Sequence, residues 1–226
     1  MFLDDIMRTL SKALYRYPDV LKYLYSRKIA DSDIQKFGLG YSKVVSVPDD
    51  GSSDRKTFMD TCFRGQKFEN KLVFPIKGAL GQVVGLIGRS IETKEFKMYA
   101  LDQAKFEGFF FGLDNALPHI YQQNRVFVVE GPFDCMALSR VLPNTVACQT
   151  AGLSDAQYEY LMMYCDMIIT VFDSDKTGKR AMEKAQKRKN VQSIDFGWKD
   201  PAKCYEEYDF DFFKEYVEKK AKAIVF

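Results

Sequence analysis

The stretch VVEGPFDCMAL, residues 128–138, turns an apolar β-branched run into a helix through an acidic corner. A second stretch, IITVFDSDKTGKRAMEKA at residues 168–185, does the same. In the first, Val126–Val129 reads as a strand, and Glu130-Gly131-Pro132-Phe133-Asp134 closes it. Pro132 suits a first helical turn, where its missing amide costs nothing. In the second, Met167–Phe172 ends in Asp173-Ser174-Asp175. Gly131 and Gly178 are read as the residues that permit tight turns beside the acids. Between and beyond these corners the pattern alternates. A helix is expected from about Pro132 to Leu142 and a short strand over Thr145–Gln149. A capping box at Ser154-Asp155-Ala156-Gln157 opens a helix to about Tyr164. A helix over Lys176–Lys189 and a strand over Val191–Phe196 complete the unit and lead to Lys199-Asp200-Pro201. Strands alternating with helices predict a parallel sheet covered by helices on both faces. In such sheets ligands bind outside the carboxyl ends of the strands, where both acidic corners fall.

Strand residues two apart point the same way, so Asp173 and Asp175 can aim at one centre. If the two strands are neighbours, Glu130 joins them. Asp134 falls on the first turn of its helix, where the positive dipole end tolerates a carboxylate. Like charges ~4 Å apart repel by roughly 4 kcal/mol at an effective dielectric of 20. A hard divalent cation such as magnesium relieves that repulsion. Acids flanking a metal pair suit phosphoryl or nucleotidyl transfer. An isolated Asp-x-Asp is mostly a solvated turn. Here two acidic corners end two hydrophobic strands within one unit, and that combination points to phosphate chemistry.

Upstream, the first forty residues read as helical. Val20, Leu21 and Leu24 follow Pro18-Asp19 at helical spacing. Ser32-Asp33-Ile34-Gln35 has the form of a capping box, and Gly38 fits a helix stop. Val47–Asp54 reads as a loop. Lys71–Ile76 and Gln82–Ile91 form a hairpin through Lys77–Gly81, with a further short strand at Met98–Leu101. Phe106–Leu117 is expected to cover a core, with a boundary at Pro118. At the other end, Asp209–Lys222 places Phe210, Phe213 and Val217 on one helical face.

Composition narrows the function classes. The chain has 226 residues, 46% hydrophobic and 28% charged, an ordinary balance for a folded domain or two. Its early acids and lack of a basic opening argue against a secretory signal, so a cytoplasmic location is expected. No CxxC pair occurs and His119 is the sole histidine, which argues against a structural zinc site. The five scattered cysteines read as reduced, buried thiols. A net charge of +2 excludes a uniformly basic coat but not a local patch. One basic run holds Lys176, Lys179, Arg180, Lys184, Lys187, Arg188 and Lys189. It reads as a solvated helix face or as a phosphate-binding surface.

The two acidic stretches resemble the TOPRIM domain of bacterial-type primases, topoisomerases of types IA and II and certain nucleases. Upstream, Tyr17–Leu24, Arg27, Ile29 and Ile34–Tyr41 resemble the opening of the RNA-polymerase core of DnaG-type primases. Leu72–Ile76 with Gly81, Gly85 and Gly88-Arg89 is similar to that family's hairpin. Lys97-Met98-Tyr99 resembles its template-binding segment, and Phe111-Gly112-Leu113 the lead into TOPRIM. The Glu-Gly-Pro form is most similar to bacteriophage primases. The resemblance implies an α/β fold, a TOPRIM parallel sheet flanked by helices and preceded by a smaller α+β subdomain. It divides the chain into 1–118, 119–206 and a C-terminal helical segment, 207–226.

The implied activity is magnesium- or manganese-dependent synthesis of RNA primers on single-stranded DNA. Glu130, Asp173 and Asp175 would be catalytic, and these three with Asp134 and Asp200 would hold metal. Lys71, Arg89, Lys97, Lys176, Lys179 and Arg180 would contact nucleotide or template. Ribonucleoside triphosphates, the replicative helicase and a zinc-binding module acting in trans are the implied partners. The family pattern has a second acid two residues after Asp200, where this chain has Ala202. The remaining alternatives are a TOPRIM nuclease and a non-catalytic nucleic-acid-binding subunit. A topoisomerase needs a cleavage tyrosine, and none of the thirteen tyrosines is recognisable as one.

Overall fold

A computed structural model describes residues 2–43, 68–93, 96–100 and 109–223, with the backbone alone at residues 2 and 96–100. The expected loop at Val47–Asp54 and the start of the Phe106–Leu117 segment lie outside these residues. The chain divides into two compact units, Met1–Phe106 and Glu107–Phe226.

The first unit opens with three helices, α1 (Phe2–Leu14), α2 (Pro18–Ser26) and α3 (Asp31–Phe37). Leu3, Ile6, Met7, Leu10 and Leu14 recur at helical spacing along α1 and are buried. The first four of them pack with Phe68, Val73, Val83 and Leu86. Four antiparallel strands follow in sequence order: β1 (Gly40–Ser42), β2 (Lys71–Lys77), β3 (Val83–Ser90) and β4 (Phe96–Ala100). The expected hairpin is β2–β3. The capping box expected at Ser32 is displaced. The helix already begins at Asp31, so Asp33 reaches back to accept the Ala30 N–H at 2.8 Å. Ala30 has no acceptor to return, and only half of the box exists. Gly38, at φ 68°, ends α3 as expected.

The second unit begins earlier than Pro118. Pro118 lies inside α4 (Leu113–Gln123). The reason is apolar burial: Phe110, Leu113, Ala116 and Ile120 share one core with Val126, Val128 and Ile168. Phe111 also bridges the sheet edge, exchanging two backbone hydrogen bonds of 3.0 Å with Ala147. The parallel sheet holds β5 (Arg125–Val129), β6 (Thr145–Ala147), β7 (Met167–Thr170) and β8 (Val191–Ser193), in the order β6-β5-β7-β8. The connecting helices α5 (Pro132–Leu138), α6 (Asp155–Met162) and α7 (Lys176–Ala185) end sooner than their sequence patterns suggest. The capping box on α6 forms in full, with Ser154 and Gln157 exchanging hydrogen bonds of 3.1 Å.

Two helices follow β8: α8 (Pro201–Glu207) and α9 (Phe210–Lys222). Phe213 and Val217 of α9 are buried, but Phe210 is 44% exposed because it occupies the first helical turn, ahead of the packed stretch. Cys135, Cys148, Cys165 and Cys204 are buried free thiols. Among the described residues no helix is long and apolar enough to cross a membrane.

Candidate active site

From β5 the chain crosses to β6 on one side, then returns past β5 to place β7 on the other. The carboxyl ends of β5 and β7 therefore flank the topological switch point, where parallel sheets form their ligand crevice. Glu130 follows β5, and Asp173 and Asp175 follow β7. The sequence left the adjacency of these strands open. Their parallel register, Val128 beside Thr170, settles it.

The acids are joined by the backbone. The Asp173 N–H donates to Glu130 Oε1 at 3.1 Å. Asp175 caps α7, its Oδ1 accepting the Thr177 and Gly178 N–H groups at 2.8 Å each. Gly178 is indispensable for packing rather than for turning. A Cβ there would lie 2.0 Å from the Asp173 carbonyl oxygen. Gly131 likewise does not make the tight turn expected of it. Its backbone is extended, at φ −109°, and a Cβ there would fall 2.9 Å from Asp134 Oδ2.

Burial pushes the Asp173 carboxyl up to about 7, reinforced by the negative charges of Glu130, Asp200 and Asp175 and eased by Lys199. Glu130 is raised too, chiefly by burial and partly offset by its bond from Asp173. These shifts are the signature of carboxylates crowded into a half-buried edge. Asp200 joins the same field from the N-cap of α8, where it accepts the Lys203 N–H at 2.6 Å. Asp134 sits on the first turn of α5 and accepts the Ala202 N–H at 3.1 Å.

Two residues of this edge escaped the sequence reading. Ser174 fastens the Asp-x-Asp turn to the loop carrying Asp200. Its N–H donates to the Lys199 carbonyl at 3.0 Å and its hydroxyl to the Trp198 carbonyl at 2.5 Å. Gln149, just past β6, holds the left-handed conformation at φ 62° and donates its N–H to the Glu130 carbonyl at 2.8 Å. Nothing in the sequence marks Gln149. Asp200-Pro201 did carry a legible signal for α8, an N-cap acid followed by proline.

The basic candidates fall into two groups. Lys176, Lys179 and Arg180 are exposed on α7, directly after Asp175. Arg89 and Lys97 belong to the antiparallel sheet of the first unit, where Arg89 faces Phe96 and Lys97 faces Gly88 in register. The Lys97 side chain lies outside the described residues. Lys71 is only 9% exposed, opposite Ser42 and Ser90 in register. Among the described residues no three acids, cysteines or histidines are gathered closely enough to hold an ion as they stand. The donor set nevertheless fits a hard cation by its chemistry. It offers only carboxylate oxygens, and burial, reinforced by neighbouring negative charge, suppresses the ionisation of Asp173 and Glu130.

A parallel sheet with acids at its switch point, one after β5 and two after β7, defines a TOPRIM-type domain. Residues 127–203 match the Toprim-like family, and residues 9–105 match the N-terminal domain of the DNA primase catalytic core. The chain belongs to the DnaG-type DNA primase family, whose two core domains it carries in series. It is 27% identical to the DNA primase of Helicobacter pylori over 205 residues, 81% of this chain and 35% of that protein. It is 32% identical to the DNA primase of Synechococcus elongatus over 181 residues, 71% of this chain and 26% of that one. The chain thus spans between about a quarter and about a third of the length of these relatives. In fold it resembles the Escherichia coli primase catalytic core, with a TM-score of 0.76 at 20% identity over 96% of this chain and 78% of the other. A DnaG primase catalytic domain bound to single-stranded DNA gives 0.75, also at 20% identity, over 96% and 79%.

Proposed function

We propose that this chain is the catalytic core of a DNA primase, joining ribonucleotides into short RNA primers on a single-stranded DNA template. The observation that carries the proposal is the hydrogen bond from the Asp173 amide to Glu130. It binds the two acidic corners into one edge at the switch point of a primase-type sheet. Glu130, Asp173, Asp175 and Asp200 would hold magnesium or manganese. Held there, such an ion would supply Lewis acidity toward the 3′-hydroxyl and the α-phosphate.

The chain's own residues supply the rest. Glu130 is held in place by the Asp173 amide, and Asp175 by the first turn of α7. Lys199 offsets part of the negative field on Asp173. Lys176, Lys179 and Arg180 offer exposed cations to triphosphate oxygens beside the acids. Arg89 and Lys97 take the template backbone, as contacts that position the strand without reading its sequence. A DnaG catalytic domain bound to single-stranded DNA supports that choice of template. Ribonucleoside triphosphates, a replicative helicase and a zinc-binding module acting in trans complete the proposed set of partners, in the cytoplasm where the DNA replicates.

The test is incorporation of labelled ribonucleotides on single-stranded DNA with magnesium, wild type beside Asp173→Asn. Short RNA from the wild type alone is the expected result. Metal-dependent degradation of the template with no product would replace the primase reading with a nuclease. Neither product nor degradation would leave a nucleic-acid-binding subunit.

A further inference from the structure

Family resemblance groups Asp134 with the metal-binding acids. The geometry points to a different role: we infer that Asp134 is a positioning residue. It ties α8, and through it Asp200, to the acidic edge, and does not itself hold the ion. The inference rests on the catalytic reading above and refines it.

The argument is an accounting of the first turn of α8. The opening amides of a helix have no partner within it and must find one elsewhere. Pro201 has no N–H to satisfy. The Lys203 N–H is taken by the side chain of Asp200, the helix's own cap, at 2.6 Å. The Ala202 N–H is taken by Asp134 Oδ1, from a different helix, at 3.1 Å. Two carboxylates thus complete the turn, one local and one borrowed. Ala202 is 5% exposed, so an unpartnered N–H there would be shut off from water and costly.

The other oxygen of Asp134 faces Gly131. Oδ2 lies over Gly131, close enough that a Cβ at 131 would meet it at 2.9 Å. The carboxylate therefore lies between Gly131 and the amide of Ala202. Asp173 is held otherwise. It offers its amide to Glu130, and burial beside three like charges pushes its carboxyl upward. Where the family pattern has a second acid, this chain has Ala202, and the contact made there is a backbone tie to Asp134. That tie joins the two Ser174 hydrogen bonds in holding the loop of Asp200 at the acidic edge.

The experiment compares Asp134→Asn, Asp134→Ala, Gly131→Ala and Asp173→Asn in the full chain. Its readouts are melting temperature without metal, Mn2+ binding followed by the EPR of the free ion, and KM for ribonucleotide. An asparagine can still accept from Ala202, so Asp134→Asn is expected to keep the wild-type melting temperature and to lose far less Mn2+ affinity than Asp173→Asn. Asp134→Ala and Gly131→Ala lower the melting temperature by more than about 3 °C and raise KM. Asp173→Asn weakens Mn2+ binding at least about tenfold. Loss of Mn2+ by Asp134→Asn to the same degree as by Asp173→Asn would overturn the inference. So would wild-type stability in Asp134→Ala. A wild type that binds no Mn2+ would instead sink the metal reading of the acidic edge. The melting temperatures of the Asp134 variants would still decide the tie.

Discussion

The two sheets of this chain use the same β-rich vocabulary for different ends. In the antiparallel sheet β1–β4, consecutive strands pair in sequence order. Its described core is apolar, and β3 carries Leu86 and Ile87 at no more than 1% exposure. The parallel sheet β6-β5-β7-β8 cannot be built from hairpins. Each strand needs a crossover, and each crossover starts from the same edge. Glu130, Asp173 and Asp200 are far apart in sequence and are delivered to that edge together. Parallel order thus concentrates chemistry, while antiparallel order distributes packing. The cost of concentration is visible in the raised carboxyls of Asp173 and Glu130.

Substitutions at buried points of the two units should separate these roles. The largest effect is expected from Gly178→Ala. The new methyl group would strike the Asp173 backbone and displace the acid. Misplacing a catalytic group by about 1 Å costs on the order of 10²-fold in rate, so primer synthesis should fall by at least that factor. A variant with near-normal kcat would show that the Asp173 backbone is not fixed by this approach.

Leu86→Ala tests the other sheet. Removing a wholly buried leucine should cost about 2–5 kcal/mol of stability, measured by urea unfolding. The rate per folded molecule should change little. A large loss of kcat in the fraction still folded would break the contrast between a packing sheet and a chemical one.

A smaller, pH-dependent effect comes from Asp173 itself. Its folded pKa, about 7, stands above the ordinary aspartate value. Between the two values the folded chain holds more proton than the unfolded one, so stability falls as pH rises through that window and levels off above it. Asp173→Asn removes this dependence. In a metal chelator its melting temperature should exceed that of wild type at pH 8, and the two should converge near pH 4. Parallel curves across that range would mean that Asp173 is not under strain.

The smallest effect is assigned to Gln149→Gly. The left-handed conformation costs a residue with a side chain roughly 1–2 kcal/mol, and glycine adopts it freely. Glycine's looser unfolded state offsets part of that gain. A net stabilisation of about 0.5–1 kcal/mol in urea unfolding is expected. A destabilised variant would show that the glutamine side chain holds the β6 end beside Glu130.

The sequence by itself determined the element types and the acidic inventory. Strand runs ending in Glu130 and Asp173, the capping box at Ser154 and the stop at Gly38 all depend on neighbours in the chain, and local pattern reports local physics. It failed where a distant partner decided the outcome. Pro118 falls inside a helix because Leu113, Ala116 and Ile120 are held by the sheet core. The α3 cap moved to Ala30, and Phe210 escaped burial, because helix starts and packed faces are settled by what lies opposite. Only the tertiary structure placed β7 beside β5, put Gly178 against the Asp173 backbone and bound Asp134 to Ala202. Those are contacts between segments that no periodicity connects. They exist because backbone amides at helix starts and strand ends must be satisfied by whatever the fold brings within reach.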